Sequence, residues 1–313
     1  MKLVKEYRNS PFAHTYSIVA RDPKTGEMGV GVQSHYFSVG SVVDWGASGV
    51  GVVATQSFVN KSFGLRGLEL MKQGKTPEEA LSILLDDDDG KNVRQVALLD
   101  AHGRVAVHTG SKCIKYAGHE TGDNFSVQAN MMLKDTVWPA MALAFEKNKN
   151  IPLPERILKA LEAAESEGGD IRGRQSAAIL IVKGEPVENE WDDPFIDLRV
   201  EDHPEPLEEL SRLLKLRRAY EIMDKGDVAL EKGDEDEALK AFSSAREMCP
   251  NNIEMKYWTA ISLANIKRFN DALPLFKEIF TIDDNWRILT ERLPDVDLLN
   301  ISKEELNKIL TIE

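Results

Sequence analysis

At 313 residues, 42 % apolar and 29 % charged, the chain is long enough for two domains of about 150 residues each and has the composition of a soluble globular protein. A net charge of −13 and a pI near 5.1 repel phosphate backbones, and no basic stripe offsets them, so nucleic acid is excluded as a partner. No run approaches the ~20 consecutive apolar residues of a membrane span, the N-terminus carries no apolar signal segment, and Cys113 and Cys249 form neither a disulfide framework nor a zinc pattern, so the expected setting is the cytoplasm.

The N-terminal part reads as glycine-punctuated strands separated by paired helices. "TYSIVAR", "MGVGVQS" and "GVGVVATQ" alternate as strands. The helix "LRGLELMKQ" stops at Gly74, and a second begins at Thr76 with Pro77 at its first position and Glu79 completing a capping box. Strands follow at "VRQVALLD", "RVAVHTG" and "FSVQAN", then a second helix pair, "DTVWPAMALAFEKN" and "LPERILKALEAAESE", and finally "RQSAAILIV" and "FIDLRV". Grouped strands and paired helices predict an α+β protein with antiparallel sheets covered by helices, and no glycine-rich phosphate loop follows any strand.

The first two strands form a hairpin around Asp22, Pro23 and Gly26. Placing Asp22 opposite Glu27 pairs Val19 with Val30, Ser17 with Val32 and Thr15 with Ser34, so three hydroxyls share one face at one sheet end. Such a cluster is either a satisfied strand edge or a nucleophile. Strand-end amides at Gln56, Asn60, Gln128 and Asn130 suit an oxyanion or a substrate carbonyl, and Arg172 and Arg174 suit a carboxylate. His119 in "AGHETG" reads as a loop histidine that lines a pocket or is structurally satisfied. The six histidines show no metal spacing, and no metal or cofactor is expected. Asp86 to Asp89 read as a solvated acidic loop closing a helix.

Beyond about residue 200 the chain reads as continuous helix. A shift of ~34 residues places Gly226 on Ala260, Ala238 on Ala272 and Phe242 on Phe276. This stretch resembles the tetratricopeptide repeat (TPR) family over residues 217 to 285, with Ile279 and Asp284 departing from the pattern in the second copy. The resemblance implies a concave helical surface that takes a protein or peptide partner.

The N-terminal part resembles an uncharacterised family of the N-terminal nucleophile (Ntn) hydrolase superfamily. "TYSIVARDPKTGEMGVGVQS", "GVGVVATQSFVN", "GLRGLELMKQGKTPEEAL", "RQVALLDAHGRVAVHTGSKC", "AGHETGDNFSVQANMML", "GGDIRGRQSAAILIV" and "IDLRVEDHPEPLEEL" carry the resemblance, in order, from Thr15 to Leu210. It implies a four-layer α-β-β-α sandwich; the expected organisation is an extension over 1–14, this domain over 15–204 and the all-α TPR-like domain over 205–313. It also implies a threonine nucleophile at Thr15; Ser17 and Ser34, which share its face of the hairpin, are further catalytic candidates. In that superfamily the nucleophile's own α-amine, titrating near pH ~8, is the general base. Residues 1–14 place the Thr15 nitrogen in a peptide bond, so this chemistry requires a cut between His14 and Thr15. The expected function is hydrolysis of a small amide or peptide. The alternative is an inactive scaffold that recruits a partner through its helical segment. A homodimer is also expected.

Overall fold

The computed structural model describes residues 12 to 312. It divides into two compact units, one ending at Leu214 and one starting at Lys215. The first unit is built on two antiparallel sheets. One contains β1 (Phe12–Ala13), β4 (Asp44–Ala47), β5 (Gly51–Phe58), β6 (Arg94–Asp100) and β7 (Val105–Thr109), and runs β1-β5-β6-β7 with β4 also on β5. The other contains β2 (Thr15–Arg21), β3 (Met28–Ser34), β8 (Gly118–Gly122), β9 (Phe125–Ala129), β10 (Ser176–Val182) and β11 (Ile196–Val200), in the order β11-β10-β3-β2-β9-β8.

Strand alternation sorts the side chains of each sheet into two cores. Val19, Val30, Val32, Ala178 and Leu180 meet Val52, Ala54, Ala97 and Leu99 between the sheets. On the outer face of the second sheet, Tyr16, Ile18, Val127 and Ile179 pack against α3 (Val137–Lys147) and α4 (Leu153–Ser166). On the outer face of the first, Val53, Val96 and Leu98 pack against α1 (Ser62–Lys72) and α2 (Pro77–Asp86). Both sheets thus carry a helix pair outside and share one apolar layer inside. The α4 contact needs Gly31, because a Cβ there would stand 2.2 Å from Ile157 Cγ2.

The hairpin has the expected register: Thr15 pairs with Ser34, Ser17 with Val32 and Val19 with Val30. The Asp22 amide donates to the Glu27 carbonyl at 2.8 Å, and Gly26 takes the positive φ of the turn, 79°. The Thr76–Glu79 capping box is also present in both directions. Two expectations are corrected. His119 lies on β8, an edge strand whose polar, glycine-rich sequence shows no apolar alternation to betray it. Nor is the acidic run wholly solvated: Asp88 pairs with the buried Arg94 at 2.7 Å, and Arg94 in turn donates to the Phe58 carbonyl at 2.6 Å. The short strands β1 and β4 had no sequence signal.

The second unit is all helical. The boundary falls inside α5 (Pro206–Glu231), which is followed by α6 (Glu235–Met248), α7 (Ile253–Asn265), α8 (Phe269–Ile282), α9 (Asn285–Arg292) and α10 (Lys303–Leu310). Phe242 closes over Gly226, where a Cβ would meet the ring at 2.5 Å, and Ala238, Ala260, Ala272 and Phe276 are all fully buried.

Asp44 is the odd group of the first unit's interior. Its carboxylate is 6 % exposed and, among the described residues, neither oxygen has a hydrogen-bond partner. Burial pushes its pKa up to about 7, against the opposing charge of Arg199. A carboxyl that is neutral when folded and ionised when unfolded stabilises the fold at acid pH, and that stability is lost as pH rises from about 4 to about 7. Asp44→Asn is therefore expected to leave stability nearly unchanged at pH 4 and to raise it by roughly 4 kcal/mol at pH 8, read by urea denaturation at the two pH values.

A candidate active site where the chain crosses between sheets

His14 is the residue at which the chain leaves the first sheet and enters the second. β1 ends at Ala13, paired with Ser57 of β5, and β2 starts at Thr15, paired with Ser34 of β3. At this end the apolar layer between the sheets gives way to polar side chains, and Thr15, Ser17, Gln56, Gln95, Gln128 and Asn130 are all fully buried. Burial at this depth requires each amide to be hydrogen-bonded within the protein.

The amides meet that requirement through one another. Ser17 donates to Gln56 Oε1 at 2.6 Å and accepts from Gln128 Nε2 at 2.6 Å. Ser126 donates to Gln128 Oε1 at 3.0 Å. Gln56 Nε2 and Asn130 Nδ2 both donate to Gln95 Oε1, at 2.7 and 2.9 Å. Gln95 Nε2 then reaches Thr109 Oγ1 at 2.8 Å and the carbonyls of Ala129 and Gly118 at 3.0 and 3.1 Å. The Thr109 hydroxyl, receiving from Gln95, also shares a hydrogen bond of 2.9 Å with His119 Nδ1. The Thr15 carbonyl accepts from the Asn130 amide nitrogen at 3.1 Å and from Gln56 Nε2 at 3.3 Å, fixing the residue from both sheets.

Thr15 Oγ1 stands apart. Among the described residues it is the hydroxyl of this cluster that lacks a hydrogen-bond partner. The carbonyl of the preceding residue is held instead: His14 O accepts from Ser34 Oγ at 2.6 Å and from Arg172 Nη2 at 2.8 Å. Asp170, buried, orients that guanidinium through contacts of 3.0 and 2.7 Å, and also caps the His35 amide at 3.2 Å. The His14 imidazole donates from Nδ1 to Asn130 Oδ1. Burial pushes its pKa down to about 4, with the Asn130 bond opposing and the Arg172 charge adding, so the ring is neutral near pH 7.

The sequence candidates therefore separate into groups. Thr15, Ser17, Ser34, Gln56, Gln128 and Asn130 come together, with His119 joined at the rim through Thr109. Gln56 and Gln128 hold the neighbouring strands; the donors reaching the His14 carbonyl are Ser34 and Arg172. Asn60 lies outside the cluster, accepting from the Ser62 amide at 3.2 Å at the start of α1. Arg174 is engaged by Glu165 at 2.6 Å and by Glu205. Ser34, His35 and Asp44 form no hydrogen-bonded triad, because the His35 ring bonds the Arg174 carbonyl and Asp44 is partnerless among the described residues. Gln95, Asp170 and His14 belong to the site without any motif that marks them in the sequence. The parity of Gln95 with Gln56 across β5 and β6 was the available signal for the first. Among the described residues no group of three His, Cys, Asp or Glu side chains is arranged for a metal ion, and no helix is long and apolar enough to cross a membrane.

Fold and site together define a mixed α+β protein with two antiparallel sheets, a buried polar cluster between them and a helical C-terminal region. Residues 15–210 match a family of unknown function (DUF1028), and the chain belongs to that family. It is similar to the crystal structure of a protein from Silicibacter pomeroyi assigned to the same family, with a TM-score of 0.58 and 31 % identity over 64 % of this chain and 88 % of that one. No curated protein matches the chain.

Proposed function

We propose that this protein is a hydrolase of the Ntn type, acting on a small amide or peptide, with Thr15 as its nucleophile after removal of residues 1–14. The observation that carries the reading is the bond between His14 and Thr15. Its carbonyl is gripped by two donors at 2.6 and 2.8 Å, while the adjacent Thr15 hydroxyl is buried and uncommitted among the described residues. Donors at that range are what an oxyanion needs. The pair of facing sheets with outer helices supports an Ntn sandwich, and the family match, which opens at Thr15, is consistent with a leader lying outside the shared domain.

In the cut, Thr15 Oγ1 attacks the His14 carbonyl carbon. The C–O bond forms, the C–N bond breaks, and the hydroxyl proton ends on the departing Thr15 nitrogen. Ser34 and Arg172 hold the oxyanion between those events. Water then hydrolyses the ester, releasing the leader as a carboxylate and restoring the hydroxyl beside a free α-amine. The neutral form of that amine is the one that accepts a proton. In turnover the amine takes the proton from Oγ1 as it attacks a substrate carbonyl and passes it to the leaving amine. A water molecule then frees the acyl group as a carboxylic acid.

Intact mass and N-terminal sequencing of the purified chain test this reading. A chain that begins at Thr15 and hydrolyses amides supports it; an uncut chain without amidase activity overturns it. Arg172→Met, which removes one of two oxyanion donors, is expected to slow the cut by roughly 10²-fold, read as the half-time of leader release. For the helical unit we infer a TPR-like partner-binding role, supported by the repeated burial of Gly226 under Phe242 and of Ala260 with Phe276. That role is the whole function if the chain remains uncut.

A further inference from the structure

We propose that the leader strand is a template of the substrate: the mature site takes an extended peptide acyl group, with a planar hydrogen-bonding side chain next to the scissile bond and a small residue before it. The proposal rests on the Thr15 reading above and names the substrate class for that site. Three consecutive leader residues each occupy a distinct environment. His14 is fully buried, with its ring bonded to Asn130 and set edge-on against Phe58 at 5.4 Å. Ala13 is fully buried within the layer between the sheets and pairs with Ser57. Phe12 is 41 % exposed and lies across Phe58 at 4.9 Å.

The backbone is read as well as the side chains. Phe12 and Ala13 add an antiparallel strand to β5 opposite Phe58 and Ser57, so release of the leader opens that stretch of strand edge to another extended chain. The chemistry makes the link tighter. Cleavage of the leader passes through an ester of the His14 carbonyl with Thr15 Oγ1. An amide whose acyl part is Phe-Ala-His forms the same ester at its C-terminal residue when Thr15 attacks it, with its carbonyl oxygen again held by Ser34 and Arg172. A site that holds one of these intermediates holds the other. In turnover the acyl–nitrogen bond breaks, the amine leaves with the proton from Oγ1, and water releases the peptide acid.

The test uses the self-cleaved chain, freed of its leader, and three coumarin amides: acetyl-Phe-Ala-His, acetyl-Phe-Ala-Leu and acetyl-Phe-Trp-His. Relative to the first, kcat/KM is expected to fall about fivefold for the leucine amide, which leaves Asn130 Oδ1 without its donor. It is expected to fall tenfold or more, on the order of 10–100, for the tryptophan amide, which overfills the Ala13 position. Equal turnover of all three, or turnover of none by a chain that does cut itself, overturns the template while leaving Thr15 as nucleophile. A chain that neither cuts itself nor hydrolyses any amide removes both proposals.

Discussion

Thr15→Ala is expected to yield a chain that stays whole, with residues 1–14 attached, and that has no measurable amide hydrolysis. Loss of a nucleophile that acts as a unit with its base lowers turnover by at least about 10⁴-fold. The structural cost is small for a specific reason. Thr15 Oγ1 has no hydrogen-bond partner among the described residues, so truncation orphans no group, and the backbone contacts from Asn130 and Gln56 to the Thr15 carbonyl are unaffected. The loss of one methyl and one hydroxyl should cost about 1 kcal/mol. Thr15→Ser, which keeps an attacking oxygen at the same place, should still cut. Intact mass and urea denaturation of both variants check the two halves of the prediction, and cleavage in Thr15→Ala would transfer the nucleophile's role to another residue.

Gln95→Leu is expected to have the largest effect on stability, a loss of about 3–5 kcal/mol in urea unfolding. Its amide is the hub through which Gln56, Asn130 and Thr109 are satisfied, together with the carbonyls of Gly118 and Ala129. A leucine fills similar volume but leaves buried donors and acceptors facing an apolar side chain. Gln56 Nε2 would retain only its longer contacts of 3.3 Å to the Thr15 and Gln128 carbonyls. Because those contacts fix Thr15, leader release should slow as well. Asn60→Ala is the comparison at the same sheet end: it removes the turn at the start of α1 and a side-chain contact to Asp88, but touches none of the buried amides, and should cost about 1 kcal/mol.

Much of the hairpin is legible in the sequence. Asp22, Pro23 and Gly26 set the turn, and a period of two then dictates that Thr15, Ser17 and Ser34 share a face. The same period puts Gln128 and Asn130 on one face of their strand, and the capping box at Thr76 needs only its local spacing, whereas the pairing of Gln128 with Ser17 is a tertiary fact. The partners of those side chains were another matter. That the Ser34 hydroxyl turns to the His14 carbonyl, or that Arg172 reaches across from the loop before β10, depends on contacts spanning 20 and 158 residues. β8 escaped notice because an exposed edge strand made of Gly, His, Glu and Thr carries no hydrophobic alternation, and β1 because two residues cannot show a period.

By itself the amino-acid order determined the local elements, the hairpin register and the polar character of one strand end, since turn chemistry and side-chain alternation act over a few residues. Only the tertiary structure decided that the polar ends of two separate sheets close on each other. That arrangement fills one end of the interior with mutually satisfied amides and leaves the Thr15 hydroxyl, among the described residues, without a partner beside a polarised carbonyl. The physical reason is that hydrogen-bond satisfaction in a buried layer is settled among strands distant in sequence, and no local pattern encodes which donor meets which acceptor.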